Sequence, residues 1–220
     1  MPMKKISLTL CLSILFSSLF FLKAIALGPD QIQVRPAQPD DLTQILALDR
    51  RVTYEFFKPL YQNHYGQFEF GKNPDRFFEE ELKEDARLYP GYIAGQAGQE
   101  SKRILTAHYG RSCFDRTTLA GFILFHIDHT TVHIDLLLVD KNFRRLGVGR
   151  KLVVSVLESF PTATSCVARL LKFGNEATVA FYESLGFVNK GLLPADEISF
   201  YGIPYAEYEW EYELTLGNNK

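Results

Sequence analysis

An excess of basic residues is missing from this chain. Lys and Arg together number 24 against 26 Asp and Glu, and the formal net charge is −2. A protein that binds nucleic acid needs surplus positive charge to neutralise phosphates, so we expect no nucleic acid partner. The sequence also lacks the spacing of Cys and His that is typical of a metal site. It has no internal repeat or low-complexity linker, and its 220 residues favour one domain, alone or with an extension.

The N-terminus departs from the average composition. Lys4 and Lys5 precede an uncharged run from Ile6 to Leu22, and Ala24-Ile25-Ala26 follows. A basic segment, an apolar run and an A-x-A site are the three parts of an export signal, and the run is shorter than a membrane span of roughly 20 residues. We therefore expect residues 1–26 to be a signal peptide whose cleavage yields a periplasmic or secreted protein without a membrane span. An uncleaved membrane anchor and a cytoplasmic hydrophobic tail are the alternatives.

Two cysteines, Cys113 and Cys166, would remain after cleavage. In an exported protein they could form a disulfide. Cys166 lies in the apolar stretch SCVARLL, so we expect it to be a buried free thiol.

Hydrophobic periodicity divides the remaining chain into strands and helices. Helical spacing predicts helices that begin near residues 39, 73, 148 and 176, with Asn73 and Asn175 at two of the cap positions. Three consecutive strand-like segments with short links indicate an antiparallel meander, and the class is α+β. Alternation predicts strands over 31–36, 103–109, 119–127, 131–139, 165–171, from 187 onward and over 205–216.

The most informative segment runs from Ile134 to Leu152, where an aliphatic strand enters a basic, glycine-bearing loop that opens a helix. Glycines let the backbone approach a ligand, and the N–H groups and dipole of a helix start favour an anion, for which a diphosphate is the natural guest. The spacing excludes a P-loop and does not support a dinucleotide-binding fingerprint. The loop residues are Arg144, Arg145, Leu146, Gly147, Val148 and Gly149, followed by Arg150.

This loop resembles motif A of the GNAT superfamily of N-acetyltransferases, R/Q-x-x-G-x-G/A, read over Arg144–Gly149. The preceding strand ends in LLLVD, as is common in that family, and Asn175–Phe187 resembles its motif B, in which Asn, Ala, an aromatic pair ending in Tyr, and Gly-Phe follow one another. The order of elements matches over residues 31–217. The resemblance implies a GNAT domain: a mixed, mostly antiparallel sheet of six or seven strands, flanked by about four helices, with two strands splayed at the acyl-CoA site.

The resemblance also implies where acetyl-CoA, as co-substrate, would lie. Its pantetheine would pair with Leu137, Leu138 and Val139, its pyrophosphate would meet the amides from Arg145 to Arg150, and Asn175 would bond its arm. Tyr182 would protonate the departing thiolate, and a phenol of pKa about 10 suits that task. The alternative for Tyr182 is a core aromatic on an amphipathic helix.

Transfer to an amine also needs a proton acceptor. His133 and Asp135 lie two apart on one strand, so both should face one side, which Leu137 would continue towards the thioester. They match positions where the arylalkylamine branch of the family carries H-x-H, with Asp135 in place of the second His. We expect Asp135 to act as base with His133 as relay; the alternative is a pair of polar residues near a hairpin end. A metal site built from His126, Asp128, His129 and His133 is not favoured.

The resemblance thus implies an acetyl-CoA-dependent N-acetyltransferase in which an amine attacks the thioester directly. The acceptor would be a small molecule, a peptide N-terminus or a lysine, selected by residues 54–70 and 199–205. A non-catalytic acyl-CoA-binding module, regulatory or an exported effector, remains the alternative, since acetyl-CoA is expected to be scarce outside the cytosol.

Overall fold

The computed structural model describes residues 31–64, 66, 73–95, 102–110, 118–173, 175–193 and 209–216. The predicted signal segment, Cys113 and the 199–205 loop lie outside these residues. Within them, none of the helices combines the length and the apolar character that crossing a membrane requires. Cys166 is buried and free, as predicted.

The described residues form one seven-stranded sheet with the order β1-β2-β3-β4-β5-β7-β6. Strands β4 and β5 run parallel, and the other neighbouring pairs are antiparallel. The predicted mixed, mostly antiparallel sheet is therefore confirmed. The strands are β1 (Ile32–Pro36), β2 (Arg103–Tyr109), β3 (Thr118–Asp128), β4 (Thr131–Val139), β5 (Ser165–Leu171), β6 (Val188–Leu192) and β7 (Glu209–Thr215).

The helices follow the predicted starts, with one addition. The first helix continues through a π-helical turn (Thr53–Phe57) into a second. The predicted cap at Asn73 is confirmed, because its Oδ1 accepts the backbone N–H of Arg76 at 3.5 Å. The helices are α1 (Leu42–Val52), α2 (Lys58–His64), α3 (Pro74–Ala94), α4 (Val148–Ser159) and α5 (Glu176–Ser184), with short 3-10 turns at Pro39–Asp41 and Lys141–Phe143.

A hydrophobic core covers each face of the sheet. On one, which we call the α4 face, α4 and α5 pack on side chains such as Phe125, Val132 and Ile134. On the other, the α1 face, α1 and α3 pack on Phe122 and Leu124. Burial of both faces explains why β3 is apolar almost throughout instead of alternating.

A β-bulge interrupts β4 at Asp135. Leu136 pairs with Leu124 and Ile134 with Phe125, so Asp135 is the extra residue between them. The bulge changes the phase of the strand. As a result Leu137 packs on the α4 face with Ile134, whereas Leu136 packs on the α1 face. The expectation that Leu137 continues the face of His133 and Asp135 is therefore wrong.

Two carboxyl groups meet between α1 and α3: Asp49, which is buried, and Asp85, which is partly buried. Asp49 accepts a hydrogen bond from the Tyr89 hydroxyl at 2.7 Å and shares a second one with Asp85. Burial raises the pKa of both acids, and together with the neighbouring Asp49 it brings the pKa of Asp85 to about 8. The pair therefore keeps a proton at neutral pH, and that proton lets one carboxyl donate to the other.

This pair predicts a pH-dependent stability. A carboxyl whose pKa is higher in the folded than in the unfolded chain binds extra protons when folded, so the free energy of unfolding falls as pH rises. We expect Asp85→Asn to remove a slope of at most about 1.4 kcal/mol per pH unit between roughly pH 5 and 8, and to stabilise the protein at pH 8. Urea denaturation across that range measures it.

The difference between Asp85→Asn and the parent isolates the pair. Burial lowers the pKa of His108 and His133, which acts in the opposite direction, but both proteins share that contribution. Glu84→Gln, one residue earlier and exposed, should keep the parent's slope. An unchanged slope in Asp85→Asn would contradict the prediction.

Candidate active site

An opening passes through the sheet between β4 and β5. These strands pair from Thr131 and Ser165 as far as Ile134 and Ala168, and then both continue without pairing to each other. On its other side β4 stays bonded to β3 as far as Val139, and β5 stays bonded to β7 along its length. The backbone groups of Leu137 and Val139 on the β5 side are thus available to an extended ligand.

The predicted anion loop closes one end of this opening. Gly147 precedes α4 with φ 87°, a conformation that favours glycine, and a Cβ there would meet no atom within 4 Å. The first bond of the helix is donated by Lys151 to the Gly147 carbonyl at 2.9 Å. The N–H groups of Val148, Gly149 and Arg150 precede that bond, as the first amides of a helix do. The loop geometry is therefore suited to a phosphate.

The three arginines of the loop differ in their contacts. All are exposed, and Arg145 has a positive φ of 63°. Arg144 donates from Nε to the Val139 carbonyl at 3.2 Å, and Arg150 donates to the Ser184 carbonyl at 3.2 Å. A ligand that paired with the Val139 carbonyl would have to displace Arg144.

The two sequence motifs meet in space, since Phe181 of α5 lies over Gly149. A Cβ added to Gly149 would stand 3.2 Å from the Phe181 ring, so any other residue here would push the ring away by a few tenths of an ångström. The sequence reading had assigned Gly149 to ligand approach alone. The side chains of Leu138 and Val148 are buried in the two cores, and Leu146 is partly buried. Leu146 and Val148 therefore face a ligand through their backbone. The N–H of Asp140 bonds the Ala120 carbonyl of β3, so the backbone of Leu138, two residues earlier, also points to β3, and its predicted pairing with the pantetheine is wrong.

Asn175 carries an unpaired polar atom. It stands at the start of α5, but its side chain makes no capping bond; its backbone carbonyl accepts from Thr178 and Val179, both at 3.0 Å. The side-chain Oδ1 is buried without a hydrogen bond, and the residue is only 8% exposed. Because an unsatisfied buried oxygen costs about 1–3 kcal/mol, this atom calls for a hydrogen-bond donor, which a water or a ligand would supply.

Tyr182 lies in the core on the α4 face. It is 3% exposed and packs edge-on against Phe181 and Phe187, at ring distances of 5.2 and 5.1 Å. Burial raises the pKa of the phenol above its ordinary value, so the hydroxyl keeps its proton at neutral pH. The structure thus shows Tyr182 as a core aromatic, and its role as the acid stays a prediction.

His133 and Asp135 share the α1 face with a residue that the sequence reading left out of the mechanism. Asp135 bonds His126 of β3, with 3.0 Å between Oδ2 and Nδ1. The rings of His126 and His133 stack at 4.7 Å. Burial, and then His126, lower the pKa of His133. The predicted carboxylate and histidine are thus neighbours, but the ring that bonds the carboxylate comes from another strand.

A second missed group fixes the anion loop. Asp140, whose side chain is 7% exposed, accepts the N–H of Asn142 at 2.8 Å and forms an ion pair with Arg51 of α1. Lys141 pairs with Glu55 of the π-helical turn at 3.0 Å. The LLLVD ending is visible in the sequence. The partner of its Asp, Arg51, lies on a distant helix, so the motif does not predict the ion pair.

No group of three His, Cys, Asp or Glu side chains within the described ranges is arranged to hold a metal ion.

The chain belongs to the acetyltransferase (GNAT) family, whose sequence model matches residues 61–187. It is 34% identical over 91 residues to the peptidyl-lysine N-acetyltransferase YjaB of Escherichia coli (strain K12); the match covers 41% of this chain and 54% of that protein. The chain thus spans about half the length of that relative. The family supports acetyl transfer as the general activity.

Solved structures share the fold at low identity. A PaiA N-acetyltransferase of Thermoplasma acidophilum in complex with coenzyme A superposes with a TM-score of 0.57 at 17% identity, over 84% of this chain and 99% of that one. NAA60 of Arabidopsis thaliana, in complex with a bisubstrate analogue, gives 0.55 at 12% identity, over 86% and 99%. The GNAT fold predicted from the two motifs is therefore confirmed.

The ion pair between Arg51 and the buried Asp140 predicts that substitution of Arg51 and of its neighbour Arg50 lowers the free energy of unfolding unequally. Arg51→Gln leaves a buried carboxylate without its cation and should lower the free energy of unfolding by about 1–3 kcal/mol. Arg50→Gln breaks an exposed pair with Glu79 and should cost less than about 1 kcal/mol. Urea denaturation of the two variants compares them, and equal losses would show that Asp140 does not depend on Arg51.

Proposed function

We propose that the protein transfers the acetyl group of acetyl-CoA to a primary amine by direct attack of the amine on the thioester. The observation that carries the proposal is the opening between β4 and β5, with the free amides of α4 at one end. An extended thioester with a diphosphate needs both features: a strand-like slot for its arm and an anion site for its phosphates.

The residues present fit such a co-substrate. The N–H groups at the start of α4 suit the diphosphate, with Arg145 as an exposed cation beside them. The backbone of Leu137 and Val139 suits the amides of the arm, and the unpaired Oδ1 of Asn175 is an acceptor for one of its N–H groups. On binding, the arm of the co-substrate would replace Arg144 as the partner of the Val139 carbonyl.

The chemistry follows from the two faces of the sheet. Tyr182 lies on the α4 face, and the His126–His133–Asp135 cluster lies on the α1 face, with the opening beginning between them. An amine that enters from the α1 face would attack the carbonyl carbon while the thiolate leaves towards Tyr182. The buried phenol keeps its proton at neutral pH, but its raised pKa makes it a weaker acid than a free phenol. It would donate to a thiolate whose own basicity is raised by the same burial.

The acceptor we propose is a primary amine, and a lysine side chain is the first to test. The E. coli relative is named a peptidyl-lysine N-acetyltransferase, although the match covers 54% of that protein. A screen of acetyl-CoA consumption across lysine peptides, peptide N-termini, polyamines and aminoglycosides would identify the acceptor. Binding of coenzyme A without consumption across the screen would favour a non-catalytic acyl-CoA-binding module.

Gly147→Glu should weaken coenzyme A binding by at least about 100-fold, because it puts bulk and negative charge beside the proposed diphosphate site. Isothermal titration with coenzyme A measures the affinity. Gly95→Glu is the matched control, since Gly95 also has a positive φ, 62°, and open space at Cβ, but ends α3. Undiminished affinity in Gly147→Glu would remove the assignment of the loop.

Tyr182→Phe should lower kcat by about 100-fold with little change in coenzyme A affinity, because the ring packing stays and only the proton donor is lost. Tyr212→Phe is the control: Tyr212 is equally buried, and its hydroxyl accepts from Asn189 at 3.2 Å. Steady-state kinetics with the acceptor from the screen compares them. Equal rates in Tyr182→Phe and the parent would leave Tyr182 a core aromatic only.

A further inference from the structure

A cluster of titratable side chains stands on the α1 face where the opening begins. His126 and His133 face each other across β3 and β4, and their rings stack at 4.7 Å with 6° between the planes. The Nδ1 atom of His126 lies 3.0 Å from Oδ2 of Asp135. Lys102, just before β2, approaches the same oxygen at 3.8 Å. The side chains of His126, Asp135 and Lys102 are 22%, 23% and 24% exposed, and His133 is partly buried.

We propose that His126, held by Asp135, is the catalytic base that takes the proton from the acceptor amine. This inference rests on the proposed function and assigns a residue of β3 to it. It replaces the arrangement expected from the sequence, in which Asp135 is the base and His133 its relay.

The bond to Asp135 fixes which nitrogen of His126 is basic. An ionised carboxylate can only accept, so the proton of the neutral imidazole must sit on Nδ1. The lone pair is then on Nε2, which is the atom free to accept a proton. The carboxylate also stabilises the imidazolium that forms. Asp135 is thereby a positioning residue, because its Oδ2 atom already contacts His126 and Lys102.

His133 is the weaker candidate of the two stacked rings. Asp135 bonds His126, whereas burial and the neighbouring His126 lower the pKa of His133. Two imidazolium rings at this distance would repel each other, so the stacked pair holds one proton more easily than two. Of the two rings, His126 is the one that the carboxylate of Asp135 bonds.

The bulge puts His126 and Asp135, the proposed catalytic dyad, beside the opening between β4 and β5. Asp135 is the first residue of β4 beyond Ile134, which makes the last pair with β5. The dyad thus stands at the mouth of the opening, on the face opposite to Tyr182. Among the described residues, Asp128 of β3, Arg169 of β5 and Lys102 before β2 are further charged groups near the stacked rings.

The proton count balances with these groups. The ammonium gives one proton to Nε2 of His126, which passes it to solvent, and the nitrogen lone pair then forms the C–N bond as the C–S bond breaks. The thiolate takes the Tyr182 proton. The second proton that leaves the nitrogen restores the Tyr182 phenol. The products are the amide, the free thiol and one proton, with no oxidant or reductant.

His126→Gln tests the assignment in the full chain. We expect kcat/KM at pH 7 to fall by about 100-fold, because the glutamine amide cannot accept a proton from the amine. Spermidine and an Nα-acetylated lysine peptide are the probes. Coenzyme A affinity should stay within twofold, since His126 lies outside the slot.

His129→Gln is the matched control. His129 lies in the turn of the same hairpin, its side chain is 93% exposed, and this variant should keep the parent's rate. Asp135→Asn should lower kcat/KM by at least tenfold. A second measurement is independent of activity: nitrogen-15 NMR of the parent should show His126 as the Nδ1–H tautomer, and as a mixture in Asp135→Asn.

The outcomes separate this inference from the proposed function. If the parent acetylates a probe and His126→Gln does so within twofold, His126 is not the base and the proposed function stands. An Nε2–H tautomer in the parent would also overturn the assignment, even if the variant failed to fold. If the parent binds coenzyme A but acetylates neither these probes nor the wider panel of amines, the proposed function fails and takes this inference with it.

Discussion

The parting of β4 from β5 after Ile134 and Ala168 is the constraint on which the rest of the structure depends. Two strands that separate leave backbone N–H and C=O groups facing a gap, and such groups are costly unless water or a ligand satisfies them. The gap persists because each strand is bonded on its outer side, β4 to β3 and β5 to β7. The bulge at Asp135 contributes, since a bulge bends its strand just where the pairing ends.

The anion loop is attached to both layers of helices. From the α1 face, Arg51 pairs with the buried Asp140, and Glu55 of the π-helical turn pairs with Lys141. From the α4 face, Arg150 bonds the end of α5 at Ser184. The loop is therefore positioned before any ligand arrives, which reduces the ordering that binding would cost. A π-helical turn is a frequent feature of functional regions, and here it supplies one of the anchors.

The sequence predicted the regular elements and the anion loop but not the contacts between elements. The bounds of β2, β4 and β5 agree with the alternation, and Gly147 has the positive φ expected of a turn glycine. The bulge was missed because the run of three leucines after Asp135 hides the change of phase. His126 and Arg51 were missed because their partners lie on other elements, and register across a sheet is not visible in one strand.

Asp49 gives the same lesson in the core. In the sequence it only interrupts the apolar pattern of α1, yet in the structure it is buried and bonded to Tyr89, 40 residues away. A polar residue on an apolar face therefore predicts a partner without naming it.

The bulge also connects packing with chemistry. If the same residues formed a regular strand without a bulge, strict alternation would turn Leu137 and Val139 towards the α1 face and Leu136 and Leu138 towards the α4 face. With it, the aliphatic residues fill both cores and Asp135 is left at the mouth of the opening beside His126. The sheet then separates the proposed base from the proposed acid, Tyr182, so the acid cannot simply protonate the base. The β-bulge at Asp135 thus contributes both to the divergence of β4 from β5 and to the placement of the proposed base on the face opposite to the proposed acid.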